Sequence, residues 1–240
     1  IADNSVIARE LYDHENDGRE TRNLADSPVH TNVGEQLAIR LAKQFPIRVR
    51  SVDTRERFLE PGQDVEAFAK QVSPGDVVVL KNGLWENSNL KFERLPGTAE
   101  KPIVIRAETP GRVVFTGATE FRISGQYITV SGLVFRNTSG VSDVVQLRTH
   151  SERHAHHCRM TDCVFEETDD FDAKTESRWL SVYGTHNRID HCYFAGKKNR
   201  GPTFVVWLGE EPQHHLIDHN HFGPRPELGK NGGETIRIGT

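Results

Sequence analysis

Between Tyr127 and Arg225, short apolar stretches ending in phenylalanine alternate with polar, turn-forming residues. The copies read YITVSGLVF (127–135), HCRMTDCVF (157–165), HNRIDHCYF (186–194) and HLIDHNHF (215–222). Their last residues, Phe135, Phe165, Phe194 and Phe222, lie 30, 29 and 28 residues apart. A period in this range predicts a stacked repeat, one coil per copy. Aligned on phenylalanine, the position five residues earlier holds Val130, Met160, Ile189 and Ile217, and the position two earlier holds Leu133, Cys163, Cys192 and Asn220. Four residues earlier stand Ser131, Thr161, Asp190 and Asp218, the polar class expected at a bend. Columns of like residues suit a solenoid, because each coil buries its inner face against the coils on either side.

The residue types predict which solenoid. The units are rich in Val, Ile, Thr, Tyr and Phe and are cut by Gly, Asn and Asp, so they read as strands. Further strands are predicted between them at 144–147, 178–184, 203–209 and 234–239. Several strands per coil describe an all-β, right-handed parallel β-helix. An antiparallel sandwich is the weaker alternative, because Asn-Gly hairpin turns do not separate successive strands. Upstream, residues 61–80 place Val65, Phe68, Ala69 and Val72 on one helical face behind Asp64, a residue suited to the N-cap. A short helix capping the N-terminal end of the β-helix is expected there, covering an edge that would otherwise invite pairing. Residues 1–50 differ: 10–28 is polar and turn-rich, and 34–45 sets Leu37, Leu41 and Phe45 on one helical face. The expected division is an appendage over 1–50 and a β-helix domain over 51–240.

Composition narrows the class only slightly. The chain has 240 residues, of which 35% are hydrophobic and 27% charged, and no apolar run approaches the 18 residues of a membrane span. A net charge of −4 argues against nucleic acid but leaves room for a local basic groove that binds an acidic polysaccharide. Cys163 and Cys192 share a column and are expected to stack as buried thiols. The chain starts at Ile1 and stops at Thr240 inside or just after a predicted strand. The expectation is a piece of a longer polypeptide with further C-terminal coils missing.

Two resemblances bear on function. Residues 10–45 resemble the C-terminal tail of formylglycine-type sulfatases; their catalytic cysteine has no counterpart, since no cysteine precedes Cys158. From about Asp64 to Thr240 the chain resembles polysaccharide lyase family 6, the alginate lyases and chondroitinase B-like enzymes. The segments that carry the likeness are SPGDVVVLKNGLW, GTAEKPIVIRAETPGRVVFTG, HNRIDHCYFAGKKNRGP and, most specifically, HHLIDHNHFGPRPELGKNGGETIRIGT. The resemblance implies a parallel β-helix that cleaves uronate chains by β-elimination, in the periplasm or outside the cell. It also implies Ca²⁺ held by an asparagine and two glutamates, with a lysine as base and an arginine as acid. The asparagine maps to Asn231. The segments expected to carry the glutamates, the lysine and the arginine do not occur within the 240 residues, so no or trace turnover is expected of this chain.

Other candidates follow from their own positions. Arg237 alternates with Ile236 and Ile238, so an inward pair of isoleucines turns it outward to meet a substrate carboxylate; Glu234 belongs to the same strip. Lys197, Lys198 and Arg200 form a basic loop suited to an anionic sugar chain. Tyr183 and His186 flank a turn on a neighbouring coil as candidate subsite residues. Arg225 matches a family position, with carbonyl binding in the long loop as its structural alternative. His154, His156 and His157, and His214, His215, His219 and His221, read as surface ladders before they read as a zinc site. Asp169, Asp170 and Asp172 raise glycoside hydrolysis as a rival, yet they crowd into one loop where hydrolysis needs two opposed carboxyls. Two function classes therefore stand: a lyase of polyuronates, or a non-catalytic carbohydrate-binding β-helix.

Overall fold

A computed structural model describes residues 11–13, 15–17, 21, 23–44, 54–168, 176–225 and 233–239. The chain divides into two units, 1–51 and 52–240. In the first, a helix spans Thr31–Gln44, with Val33 and Leu37 exposed. Leu41 and Phe45 lie outside the described side chains.

The second unit is a parallel β-solenoid of three sheets. The first stacks Glu56–Leu59, Val77–Leu80, Ile103–Ala107, Ile128–Ser131, Arg159–Thr161, Arg188–Asp190 and Leu216–Asp218. The second runs from Gly83–Glu86 through Val113–Gly117, Val134–Thr138, Val164–Glu166 and Tyr193–Ala195 to His221–Phe222. The third holds Asn89–Pro96, Glu120–Gln126, Asp143–Gln146, Arg178–Val182, Phe204–Val206 and Ile236–Ile238. A short antiparallel hairpin, Arg148–His150 with Arg153–His156, is attached to the third sheet. The expected β-helix is thus present, and so is the short helix: Val65–Ala69 starts at Asp64, whose side chain accepts from the Ala67 N–H at 3.0 Å. Val65, Ala69 and Val72 are buried in the core.

The phenylalanines pile in register. Phe135, Phe165, Phe194 and Phe222 are direct partners on adjacent strands, with ring centroids 4.7, 4.9 and 5.0 Å apart. Strand spacing of about 4.8 Å sets that distance, so identical flat rings stack face to face along the interior. The ladder extends upstream to Phe115, 5.0 Å from Phe135, and then to Trp85. Val130, Met160, Ile189 and Ile217 form the parallel column in the first sheet. Cys163 and Cys192 are buried free thiols in adjacent coils, and burial with mutual proximity drives the Cys163 thiol well up.

The polar column behaves differently from its expected role at the bend. Ser131, Thr161, Asp190 and Asp218 end first-sheet strands, and the left-handed backbone falls one residue later, at Gly132, Asp162, His191 and His219. The aspartates instead bind arginines of the preceding coil. Arg159 donates to Asp190 at 2.7 and 2.5 Å, and Arg188 to Asp218 at 2.9 and 2.6 Å. The carboxylate of Asp190 is fully buried, and the Arg159 hydrogen bonds hold its pKa below the ordinary value.

Candidate functional site

Side chains alternate in and out along each strand, so the register of the third sheet decides what faces solvent. Phe121, Val145, Leu180 and Phe204 form an inward column. Ile236 pairs with Phe204, and Ile238 with Val206. Arg237, between them, pairs with Val205 and continues the outward column Arg122, Gln146, Ser181, Val205. Its guanidinium donates to Glu234 Oε1 at 2.7 Å, with both side chains partly exposed. Asn231 and the Asp169, Asp170 and Asp172 cluster lie outside the described residues.

Two residues further along the same strands runs a second outward column. Gln146 pairs with Ser181, and Val182 with Val206, so Arg148, Tyr183 and Trp207 follow one another on successive coils. The Arg148 guanidinium carbon sits 3.9 Å from the Tyr183 ring centroid, and the Tyr183 and Trp207 rings stack 5.7 Å apart at 5°. Burial pushes the Tyr183 hydroxyl up to about 12, so it stays protonated. A hydrogen-bond chain anchors this stack. Trp207 Nε1 donates to Ser181 Oγ at 3.2 Å, Ser181 Oγ donates to Asp143, and Arg178 clasps Asp143 with bonds of 2.7 and 2.8 Å. Sequence reasoning singled out Tyr183 and passed over Arg148, Trp207, Arg178 and Asp143. Aligned end to end, RWLSVYG and TFVVWLG put Tyr183 over Leu208; the strand pairing, shifted by one residue, puts it over Trp207.

The basic loop divides into different environments. Lys197 is 1% exposed, and its ammonium donates to Asn199 O and Oδ1, Arg200 O and Gly201 O. Burial and the nearby Arg225 push it down to about 7. Lys198 is half-buried and its backbone N–H donates to Glu167, while Arg200 is exposed. Arg225 donates to the carbonyls of Asn199, Gly201 and Glu234 and to Thr203 Oγ1. It thereby ties the 199–203 loop to the segment entering the last described strand.

The histidines line the corners where the chain turns between sheets. Tyr127, His157, His186 and His214 have φ of 51°, 52°, 56° and 49°, the left-handed region in which histidine is enriched. Their rings follow one another at 4.9, 4.7 and 5.0 Å, and His191 stacks on His219 at 5.1 Å. Gly184 shares the His186 corner with φ of +82°, and a Cβ there would come within 2.0 Å of Ala155 O. Burial lowers the pKa of His156 and His215, with neighbouring imidazoles adding to the shift. A depressed histidine pKa means the unfolded chain binds more protons, so stability rises with pH. In thermal melts the histidine contribution is expected to be complete above pH 6.5, the ordinary histidine value, and to be lost as pH drops below it, while the lowered Lys197 adds a further rise above about pH 7. A second loss is expected below 3.8, the ordinary aspartate value, as Asp190 protonates. A midpoint flat between pH 7 and 5 would contradict the histidine part.

Comparison with known proteins agrees with this architecture. The chondroitinase B family model matches residues 60–240. A PL6 family alginate lyase, AlyGC, is 40% identical with a TM-score of 0.72, over 77% of this chain and 26% of that one. A mannuronic acid-specific polysaccharide family 6 lyase from human gut microbiota is 38% identical with a TM-score of 0.70, over 78% of this chain and 44% of that one. The family 6 lyase Pedsa3628 from Pseudopedobacter saltans, 21% identical with a TM-score of 0.66, shares the fold. The chain therefore spans less than half the length of these structures. No curated protein matched. By the match over residues 60–240, the chain belongs to the chondroitinase B family, the polysaccharide lyase family 6 group that its repeats and last strand resemble.

Proposed function

We propose that residues 52–240 form the solenoid of a lyase that cleaves a uronate-containing polysaccharide by β-elimination, alginate before dermatan- or chondroitin-type chains. The observation that carries this reading is the outward face of the third sheet. There Arg237, Glu234 and the Arg148–Tyr183–Trp207 stack lie on consecutive coils of a family 6 fold. β-Elimination removes the weakly acidic C5 proton beside the uronate carboxylate, so a positive group must offset the charge that develops. Arg237 supplies such a group at the surface, and Glu234 orients it. Encounter with such a polymer places the protein in the periplasm or outside the cell; no described helix is long and apolar enough to cross a membrane.

Calcium belongs to this proposal through Asn231. The ion takes six to eight oxygen ligands at about 2.3–2.6 Å, and no three His, Cys, Asp or Glu side chains gather to hold a metal among the described residues. Glu234 already gives one oxygen to Arg237. The described residues do not assemble that shell, and no chemical step is assigned to the ion.

The test incubates the chain with polymannuronate, polyguluronate or dermatan sulfate, with Ca²⁺ or with chelator, and follows both binding and the absorbance of unsaturated uronate. Binding to a polyuronate with no or trace turnover is expected, because the segments that the resemblance assigns to the two glutamates, the lysine and the arginine are not in this sequence. Robust turnover would mean that the acid–base groups are elsewhere. Failure to bind any of the three polymers would overturn the assignment of this face to a polyuronate.

A further inference from the structure

The Arg148–Tyr183–Trp207 column ends at a residue with no side chain. Val206 pairs with Ile238, so the partner of Trp207 on the next coil is Gly239. That residue has φ of +93° and its N–H donates to Val206 O at 2.9 Å. A Cβ built there would meet only the Leu208 side chain, at 3.5 and 4.0 Å. Since Trp207 lies within 5° of the Tyr183 plane, one indole face rests on the tyrosine. The other is turned toward the level of Gly239. Among the described residues Tyr183 is its only ring partner.

The indole is also held still. Its N–H is fixed on Ser181, Ser181 on Asp143, and Asp143 on Arg178, while its backbone carbonyl accepts from Gln213 Nε2 at 2.9 Å. A rigid aromatic face opposite a glycine suits a pyranose, whose C–H edges stack on an aromatic surface at low ordering cost. Charge selects among sugars. Arg237 is the outward residue two positions before Gly239, a diagonal neighbour of Trp207 at roughly 8 Å between Cα atoms by strand geometry. The Arg178 guanidinium lies 5.6 Å from the indole centroid.

We propose that the open face of Trp207, above Gly239, is a stacking subsite for one uronate ring of the polymer, with Arg237 taking that ring's carboxylate. The inference rests on the uronate-polymer reading above and adds to it the residue that seats the sugar. Glu234 holds Arg237 from one side, leaving the rest of the guanidinium fork for the ligand. Gly239 has two roles here: its positive φ suits the turn, and its missing side chain keeps the subsite open.

Intrinsic fluorescence reads this site directly, because Trp85 and Trp179 are each 1% exposed and Trp207 is the tryptophan at the surface. Titration with tetramannuronate is expected to shift the emission of the unaltered chain, and uncharged mannotetraose at the same concentration to shift it far less. Calorimetric affinity for tetramannuronate should fall about tenfold or more in Trp207→Ala and less in Trp207→Phe, with Arg237→Ala reducing the preference for the charged ligand. Emission unmoved by saturating tetramannuronate overturns the proposal, and that readout needs no variant to fold. Equal affinity in a folded Trp207→Ala protein also overturns it. Binding of tetramannuronate that does not depend on Trp207 would count against this subsite alone, whereas no binding of any polyuronate by the folded chain would count against the uronate-polymer reading itself.

Discussion

Phe165→Ala is expected to be the most destabilising single truncation in the solenoid, at about 3–5 kcal/mol. Phe165 is fully buried. Its ring lies between Phe135 at 4.7 Å and Phe194 at 4.9 Å, with Trp179 at 6.1 Å. Removing it opens a ring-sized hole mid-ladder. The neighbours cannot close it, because their spacing is set by backbone hydrogen bonds between coils. In a solenoid, stability is carried largely by interfaces between adjacent repeats, and this ring contributes to two of them. Phe222→Ala is the internal comparison: that ring is only partly buried and stacks on Phe194 alone, so its loss should cost well under half as much. Urea unfolding monitored by circular dichroism measures both. A Phe165→Ala penalty below about 1 kcal/mol, or equal penalties for the two variants, would show that the ladder does not carry the fold.

How legible these features were in the sequence depended on whether they repeat. The phenylalanine column, the Val130–Met160–Ile189–Ile217 column and the paired cysteines recur at the coil period, and the structure places each in register. Alternation around Arg237 likewise placed it on the outward column. Phe115 stands only 20 residues before Phe135, so it and Trp85, 30 residues further upstream, fall out of phase with the later repeats. Lys197 shows the opposite failure. A run of basic residues beside Gly-Pro reads as a solvated loop, yet its ammonium is enclosed by four oxygens of the next few residues. No periodic pattern encodes that, because the enclosure is made by the path of an irregular loop. The Trp207 platform was hidden for a third reason. Its members come from strands of different coils, and only the strand pairing says that Arg148, Tyr183, Trp207 and Gly239 share a column.

Asp143 joins that platform to the stability of the domain, and Asp143→Ala is expected to cost about 3 kcal/mol or more. The Asp143 side chain is 8% exposed, and its carboxylate takes both arms of Arg178 as well as the Ser181 hydroxyl. Removing one partner of a buried ion pair costs about 3–5 kcal/mol, because the other charge is left without compensation. The Arg178 side chain keeps 22% exposure, and the hydration this allows puts the value toward the lower end. Asp143→Asn should cost less, since the amide oxygen still accepts one bond while the charge is lost. The consequence for the site is separate from the loss of stability. Without Asp143, the Ser181 hydroxyl loses the acceptor that orients it, so the indole N–H loses its fixed partner and Trp207 is left with its stack on Tyr183 and the Gln213 bond to its carbonyl. Affinity for tetramannuronate should then fall even where the variant remains fully folded. The pairing itself is isolated by a double-mutant cycle with Arg178→Met. The double variant should be less destabilised than the sum of the singles by about 1–3 kcal/mol, as expected for residues in direct contact. Additivity within about 0.5 kcal/mol would mean that Asp143 and Arg178 do not act as a unit, and that something else holds the indole in place.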